Sequence, residues 1–307
     1  MYLNKAITPQ QKHGVIVCLP KHDMLQTPTD YRPITLLNHD YKLLARILTR
    51  RLRPLLADYL WKTQFCGVPG NTILDAVATV RDAIAQSEMT HTHLCVLSLV
   101  FREAFDRVAH RYLFTILKAY GLHECFVDRM RHMYQDATST VQINGHITGT
   151  IPLRCSVRQG CPLSMAHFAM CINPLLHYLV TLLNGIRFGR TGNRVEVVAY
   201  ADVTLFVTQH EDFRVIRHAV ERYEKASGAR LNIHKSKALA VGGWKGTVND
   251  LGVDFVPNIK IMGINFSNTM EGTAHNSWSR TTAQLTSPGS ASIRTEPEHR
   301  AMNKICT

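Results

Sequence analysis

Residues 195–208 read Val195-Glu196-Val197-Val198-Ala199, then Tyr200-Ala201-Asp202-Val203, then Thr204-Leu205-Phe206-Val207-Thr208. Two runs of strand length, rich in β-branched and aromatic residues, flank a four-residue tip, the pattern of a β-hairpin. Upstream, Leu94 to Phe101 is almost continuously apolar, as a strand covered on both faces must be. These segments set the sheet, and the other elements are read outward from them.

Gly14 to Leu19 predicts a strand that stops at Pro20, and Pro33 forces Arg32 into an extended conformation. Tyr41 to Leu55 carries Leu43, Leu44, Ile47, Leu48, Leu52 and Leu55 at helical spacing. Its other face holds Lys42, Arg46, Arg50, Arg51 and Arg53 with few acids beside them. That face is either a solvated helix surface or a contact for nucleic-acid phosphates. A second helix opens on Thr72 and Asp75 at capping-box spacing and buries Ile73, Leu74, Val77, Val80 and Ile84. Helices are predicted over 110–120 and 124–134, and a hairpin turns at Asn144-Gly145. A long apolar helix runs from Pro162 to about Leu183. Beyond the 195–208 hairpin come a helix over 213–226, a strand over 238–241 and a strand over 259–266. After Ser267 periodicity is lost and an irregular tail is expected. The order predicts an α+β fold, a split β-α-β sheet with helices on one face, and names no function by itself.

The 307 residues carry 35 Lys+Arg against 23 Asp+Glu, a formal charge of +12. The excess points to a polyanionic partner, either nucleic acid or an anionic membrane surface. With 45% hydrophobic and 19% charged residues, a packed core is expected. There is no run of 18 apolar residues, which argues against a membrane span, and residues 1–10 offer no apolar segment of a secretory signal. The eight cysteines contain no Cys-x-x-Cys pair and read as free thiols of a reducing compartment. His91, His93 and Cys95 alternate along a strand, a weak metal-ligand set without a second cluster. No phosphate-cradling Gly-x-x-x-x-Gly-Lys loop, nucleophile elbow or His-Glu-x-x-His helix is present.

Several stretches match one family in order and spacing. They are Tyr31-Arg32-Pro33-Ile34-Thr35-Leu36-Leu37-Asn38, Phe101-Arg102-Glu103-Ala104-Phe105-Asp106-Arg107-Val108 and Arg158-Gln159-Gly160-Cys161-Pro162-Leu163-Ser164. With them come Tyr200-Ala201-Asp202, Ser227-Gly228-Ala229-Arg230-Leu231-Asn232 with Lys235-Ser236, and Ile261-Met262-Gly263-Ile264. Over about residues 14–266 the chain resembles the reverse transcriptase domain of non-LTR (LINE-type) retrotransposons. The resemblance implies a right-hand polymerase with fingers and palm in residues 1–266. The thumb would be mostly missing, with 267–307 its truncated start or a poorly ordered tail. Fingers would come from roughly the first 90 residues plus 110–165, and the palm from Val100, the Asp202 hairpin and the strand near 240.

The resemblance further implies template-directed DNA synthesis from dNTPs on an RNA template and DNA primer, with two Mg²⁺ ions held by clustered carboxylates. It places the protein inside the cell, in cytoplasm, nucleus or both. Phe105 matches the bulky residue that excludes a ribonucleotide 2′-OH. Arg158, Gln159 and Gly160 match the segment that lines template and nucleotide, and Lys235 a lysine near the nucleotide phosphates. Arg46, Arg50 and Arg53 are the candidate backbone contacts. Asn71 stands where relatives commonly carry arginine.

The departures fall at the chemical centre. The family reads Leu-Asp-Phe where this chain has Leu99-Val100-Phe101, and Tyr-Ala-Asp-Asp where it has Tyr200-Ala201-Asp202-Val203. Asp202 is the one remaining catalytic and metal-binding aspartate of three, because valine has no lone pair to give. Asp106 and Glu103 lie away from the metal-facing end of the strand. Two readings result: a catalytically impaired reverse transcriptase, or a non-catalytic basic nucleic-acid-binding remnant.

Overall fold

The protein is described from a computed structural model, which defines residues 7–21, 27–189, 192–247 and 249–275. Along the chain, Thr8 caps α1 (Pro9–Lys12), and β1 (Gly14–Pro20) and β2 (Tyr31–Leu37) lead into α2 (His39–Tyr59). Next come α3 (Ile73–Thr90), β3 (Leu94–Leu99), α4 (His110–Ala119), α5 (Glu124–Tyr134), β4 (Thr138–Ile143), β5 (His146–Ile147) and β6 (Ile151–Pro152). After these are α6 (Ser164–Leu182), β7 (Ile186–Phe188), β8 (Asn193–Val195), β9 (Val197–Tyr200), β10 (Asp202–Val207) and α7 (Asp212–Ser227). The last strands are β11 (Lys237–Val241), β12 (Asp254–Phe255), β13 (Asn258–Ile261) and β14 (Ile264–Ser267). The described residues divide into two compact units.

The first unit takes residues up to 59, 103–171 and 226–229. Its sheet runs β2-β1-β4-β5, with β6 against β4 and β1 parallel to β4. Asn144 and Gly145 both have positive φ (49° and 82°), the turn that the hairpin sequence predicts. On α2 the buried residues are Tyr41, Ala45, Leu48, Leu52 and Leu56, so of the predicted stripe Leu48 and Leu52 are buried as expected. Leu43, Ile47 and Leu55 are exposed. At ~100° per residue, Tyr41 and Ala45 lie on the Leu48-Leu52 side, and Leu43 and Ile47 lie roughly opposite. The unit packs an aromatic and an alanine where sequence reading favours leucines.

The second unit takes residues 60–102, 172–225 and those from 230 on. Its sheet runs β12-β11-β3-β10-β9. All six residues of β3 are buried, as the apolar run requires. Helix α3 starts on the expected capping box, with Asp75 N–H donating to the Thr72 hydroxyl and Thr72 N–H to the Asp75 carboxylate. Ala76, Val80, Ala83 and Ile84 pack with Leu94, Val96, Val198, Phe206 and Leu239. Leu74 is 73% exposed and not on the packed face, because small Ala76 and Ala83 fill it instead. Residues 60–90 therefore group with this sheet's unit, apart from the residues up to 59.

Two further predictions are corrected. The strand expected over 259–266 is a hairpin, β13 and β14, turning at Met262-Gly263 with φ of 50° and 87°. The strand expected from Val195 breaks at Glu196, whose buried carboxylate accepts from Arg194 Nε and closes a separate β7–β8 hairpin. Helix α6 is long and apolar enough to cross a membrane by length and composition, although His167 and Asn173 interrupt its apolar run; it is 67% buried within the protein. Residues 270–275 are helical rather than irregular, and Met270 N–H donates to Glu88 at 3.0 Å. The remainder of the expected tail, 276–307, lies outside the described residues.

Candidate active-site cleft

In the second unit β10 pairs antiparallel with β3, Val203 against Leu99, Thr204 against Ser98 and on to Val207 against Cys95. One step further, the same register sets Asp202 across from Val100. The tip is tight: Tyr200 pairs with Asp202, and Ala201 alone turns the chain at φ 65°. Successive side chains of a strand point to opposite faces. Asp202 is exposed, while Val203 and its partner Leu99 are fully buried. Val203 therefore belongs to the face away from Asp202 and Val100.

Asp202 and Val100 line a cavity of about 300 Å³ with Ser98, Thr204, Lys235 and Lys237, and with Asn258 to Met262 of the β13–β14 hairpin. The backbone at Val100 is fixed. Its N–H donates to Ser236 Oγ at 3.0 Å, and its carbonyl accepts from Asn232 N–H at 2.7 Å. Ser236 Oγ in turn donates to the Asn232 carbonyl at 2.8 Å. Arg102 N–H bonds the Arg230 carbonyl, and Phe101 bridges Leu231. The Arg230 to Ser236 segment thus extends the sheet and holds position 100 in place. Ser236 is a positioning residue whose task the sequence match alone does not show.

The carboxyl of Asp202 is raised above the ordinary aspartate pKa by the protein crowded around it, although its side chain is accessible at the cleft. Lys237 Nζ is 2.6 Å from Asp254. The ammonium groups of Lys235 and Lys260 have no acidic partner among the described residues. A pair of divalent ions needs several oxygen ligands. Here Val100 offers none, Val203 faces away, and among the described residues no group of three His, Cys, Asp or Glu could hold a metal. The donor set does not fit a two-metal centre. His91 and His93 are exposed whereas Cys95 is fully buried, so that trio does not converge either.

The first unit holds the other predicted residues. Phe105 stacks on buried Phe168, ring centroids 4.5 Å apart and planes 18° from parallel. Gln159 Nε2 donates to Asp106 at 2.9 Å, and Ser156 Oγ to the same carboxylate at 3.3 Å. Burial raises the Asp106 carboxyl against those two bonds. The Gln159 carbonyl accepts from Thr35 N–H at 2.8 Å, which seats the loop on β2. Gly160 has φ 100°, and a Cβ there would sit 2.6 Å from the Thr35 carbonyl oxygen, so only glycine fits.

Arg158, predicted to line template and nucleotide, is 2% exposed. Its guanidinium lies over the Tyr41 ring, 4.3 Å from the centroid, and donates to the Lys12 carbonyl at 2.6 Å. In this structure it braces α1 and α2 and is inaccessible to a ligand. Arg46, Arg50 and Arg53 are exposed on α2 with no acidic partner among the described residues. Lys237, Lys260 and Phe168 are neighbours that sequence reading misses, since a lone lysine or phenylalanine carries no motif.

Residues 19–266 match the family described as reverse transcriptase (RNA-dependent DNA polymerase). The chain belongs to that family. The reverse transcriptase domain is 37% identical over 247 residues to the transposon TX1 uncharacterized 149 kDa protein of Xenopus laevis, covering 80% of this chain and 18% of that protein. It is 28% identical over 225 residues to the Pol polyprotein of the type-1 retrotransposable element R2 of Popillia japonica, covering 73% and 31%. It is 26% identical over 276 residues to that of the type-2 element R2DM of Drosophila melanogaster, covering 82% and 25%. These relatives are non-LTR retrotransposon proteins, and the chain spans 18–31% of their lengths. In fold the domain is similar to apo telomerase of Candida tropicalis, with a TM-score of 0.58 at 13% identity over 86% of this chain and 55% of that one. Reverse transcriptases use divalent metal ions and bind RNA templates.

Proposed function

We propose that the chain is the fingers-and-palm portion of a LINE-type reverse transcriptase that grips an RNA template and DNA primer but transfers nucleotides poorly or not at all. Residues 1–266 form that portion, and the segment from 267 on begins a thumb. The observation that carries this reading is the register across the sheet: Asp202 stands opposite a valine in an otherwise well-held cleft. In the family Mg²⁺ would accept the oxygens of primer and dNTP. Here the residues do not supply its ligands, and no step is assigned to it.

The remaining parts suit binding. Phe105, propped on Phe168, presents a flat wall against which a ribose 2′-OH would clash. Gln159 has one amide hydrogen bond to Asp106 and keeps its Oε1 as an acceptor for a base or sugar. Gly160 seats the Gln159 loop against the Thr35 backbone, and Lys235 stands at the cleft for a dNTP phosphate. Arg46, Arg50 and Arg53 form a stripe suited to backbone phosphates, which gives sequence-tolerant grip. Action on RNA inside the cell, in cytoplasm or nucleus, belongs to the same reading.

The test is binding of a labelled RNA–DNA hybrid measured against salt. The proposal expects tight binding at low salt and a steep logarithmic loss as salt rises. Absence of binding at low salt would overturn it.

A further inference from the structure

We infer that the Asp202 cleft is a phosphate-binding site that works without a divalent ion. The inference rests on reading this cleft as the polymerase-type site, and goes beyond it by reversing the expected role of metal. Three lysines, Lys235, Lys237 and Lys260, line a cavity of about 300 Å³ in which Asp202 is the one acidic residue of the lining. Lys237 is held by Asp254, whose side chain is 70% exposed, while Lys235 and Lys260 are uncommitted among the described residues.

The charge balance decides the ligand. With an aspartate at position 100, two carboxylates would face the same side of the ladder and call for a cation between them. With Val100 there, cations outnumber carboxylates in the lining, and a metal ion would be repelled from the lysines with only one side chain to hold it. An anion rich in oxygens meets the opposite situation: charge-assisted donors from Lys235, in the turn before β11, and from Lys260 on β13, with the hydroxyl-bearing Ser98 and Thr204 also in the lining. The cavity is at the small end for ligand sites and suits a phosphate or pyrophosphate group rather than a whole nucleoside. The shared chemistry is a terminal phosphate, whether of inorganic pyrophosphate, of a dNTP or of a nucleic-acid end.

The test is calorimetric titration of the full chain with inorganic pyrophosphate in chelator, then with added Mg²⁺. Parallel arms use a dNTP and a single-stranded oligonucleotide with and without a 5′-phosphate, which separates the three sources. The inference expects binding in chelator, weakened about tenfold by Lys235→Met and by Lys260→Met, both exposed positions that leave folding intact. Binding only when Mg²⁺ is present overturns it, as does binding in chelator that neither substitution changes. A chain that binds hybrid but not pyrophosphate refutes this inference alone. One that binds pyrophosphate but no hybrid refutes the proposed nucleic-acid grip instead.

Discussion

Asp202 stands across the β3–β10 ladder from Val100, whereas Val203 is turned to the opposite, buried face against Leu99. The two valines that stand where the resemblance implies aspartates are therefore not equivalent. Val100→Asp places a second carboxylate on the face of Asp202. It should create a divalent-ion site, read by Mn²⁺ electron paramagnetic resonance, that Asp202→Ala abolishes. Val203→Asp puts an unpaired carboxylate where nothing is exposed. It should cost about 3 kcal/mol or more in chemical denaturation and yield no ion site. Equal ion binding by the two variants would contradict the assignment of faces.

Asp202 also bears on stability. Its pKa is raised in the folded protein by desolvation, so between 3.8 and that raised value the folded state holds the proton more tightly than the unfolded chain. By linkage its contribution to stability falls as pH rises through that window and stays unfavourable at neutral pH. Asp202→Asn should raise the melting temperature at pH 7 and make no difference below the unfolded aspartate pKa. A lower melting temperature at pH 7 would show that the carboxylate is satisfied in a way the cleft does not display.

His167 predicts acid sensitivity of the first unit. It is fully buried, its Nδ1 meets the Tyr134 hydroxyl at 3.2 Å, and burial lowers its pKa to about 3. Between the unfolded pKa of 6.5 and about 3 the unfolded chain binds the extra proton, so stability drops as pH falls through that range. His167→Phe should flatten the dependence of denaturation midpoint on pH between those values. An unchanged slope would assign the acid sensitivity to other groups, His110 first, which burial also lowers.

Gly160→Ala tests the seating of the Gln159 loop. A methyl group at φ 100°, 2.6 Å from a backbone carbonyl, should cost about 2 kcal/mol, read from the urea midpoint. A neutral result would mean that the loop shifts off β2 without loss.

The arginine stripe and the buried arginine give opposite expectations. Replacing Arg46, Arg50 and Arg53 together by glutamine should lower the salt-dependence slope of hybrid binding by about 2 to 3, one unit per phosphate contact. Arg158→Met should leave that slope unchanged, because its guanidinium is buried over Tyr41, with Nη1 donating to the Lys12 carbonyl. A drop for Arg158→Met would restore its assignment as a ligand contact.

How far the sequence could be read depends on how local each determinant is. The Asn144-Gly145 turn, the Thr72 capping box and the apolar β3 strand depend on neighbouring residues, and all form as read. Which side of α2 is buried depends on what packs against it, and Tyr41 with Ala45 outweighs Leu43 with Ile47. Arg158 and Lys260 fail in complementary ways. A motif places the arginine at the site while packing buries it, and no motif marks the lysine that the β13–β14 hairpin carries to the cleft. The opposed faces of Asp202 and Val203 come from strand alternation once the tip is known to be one residue long, which the sequence does not disclose.

On the proposed reading, the missing carboxylate opposite Asp202 is what keeps this cleft from transferring nucleotides. Primer extension on an RNA template with Mg²⁺ tests it, comparing the unmodified chain with Asp202→Ala and Val100→Asp. The expected outcome is no extension by the unmodified chain above the Asp202→Ala background, and a gain for Val100→Asp. Extension by the unmodified chain that Asp202→Ala abolishes would contradict it.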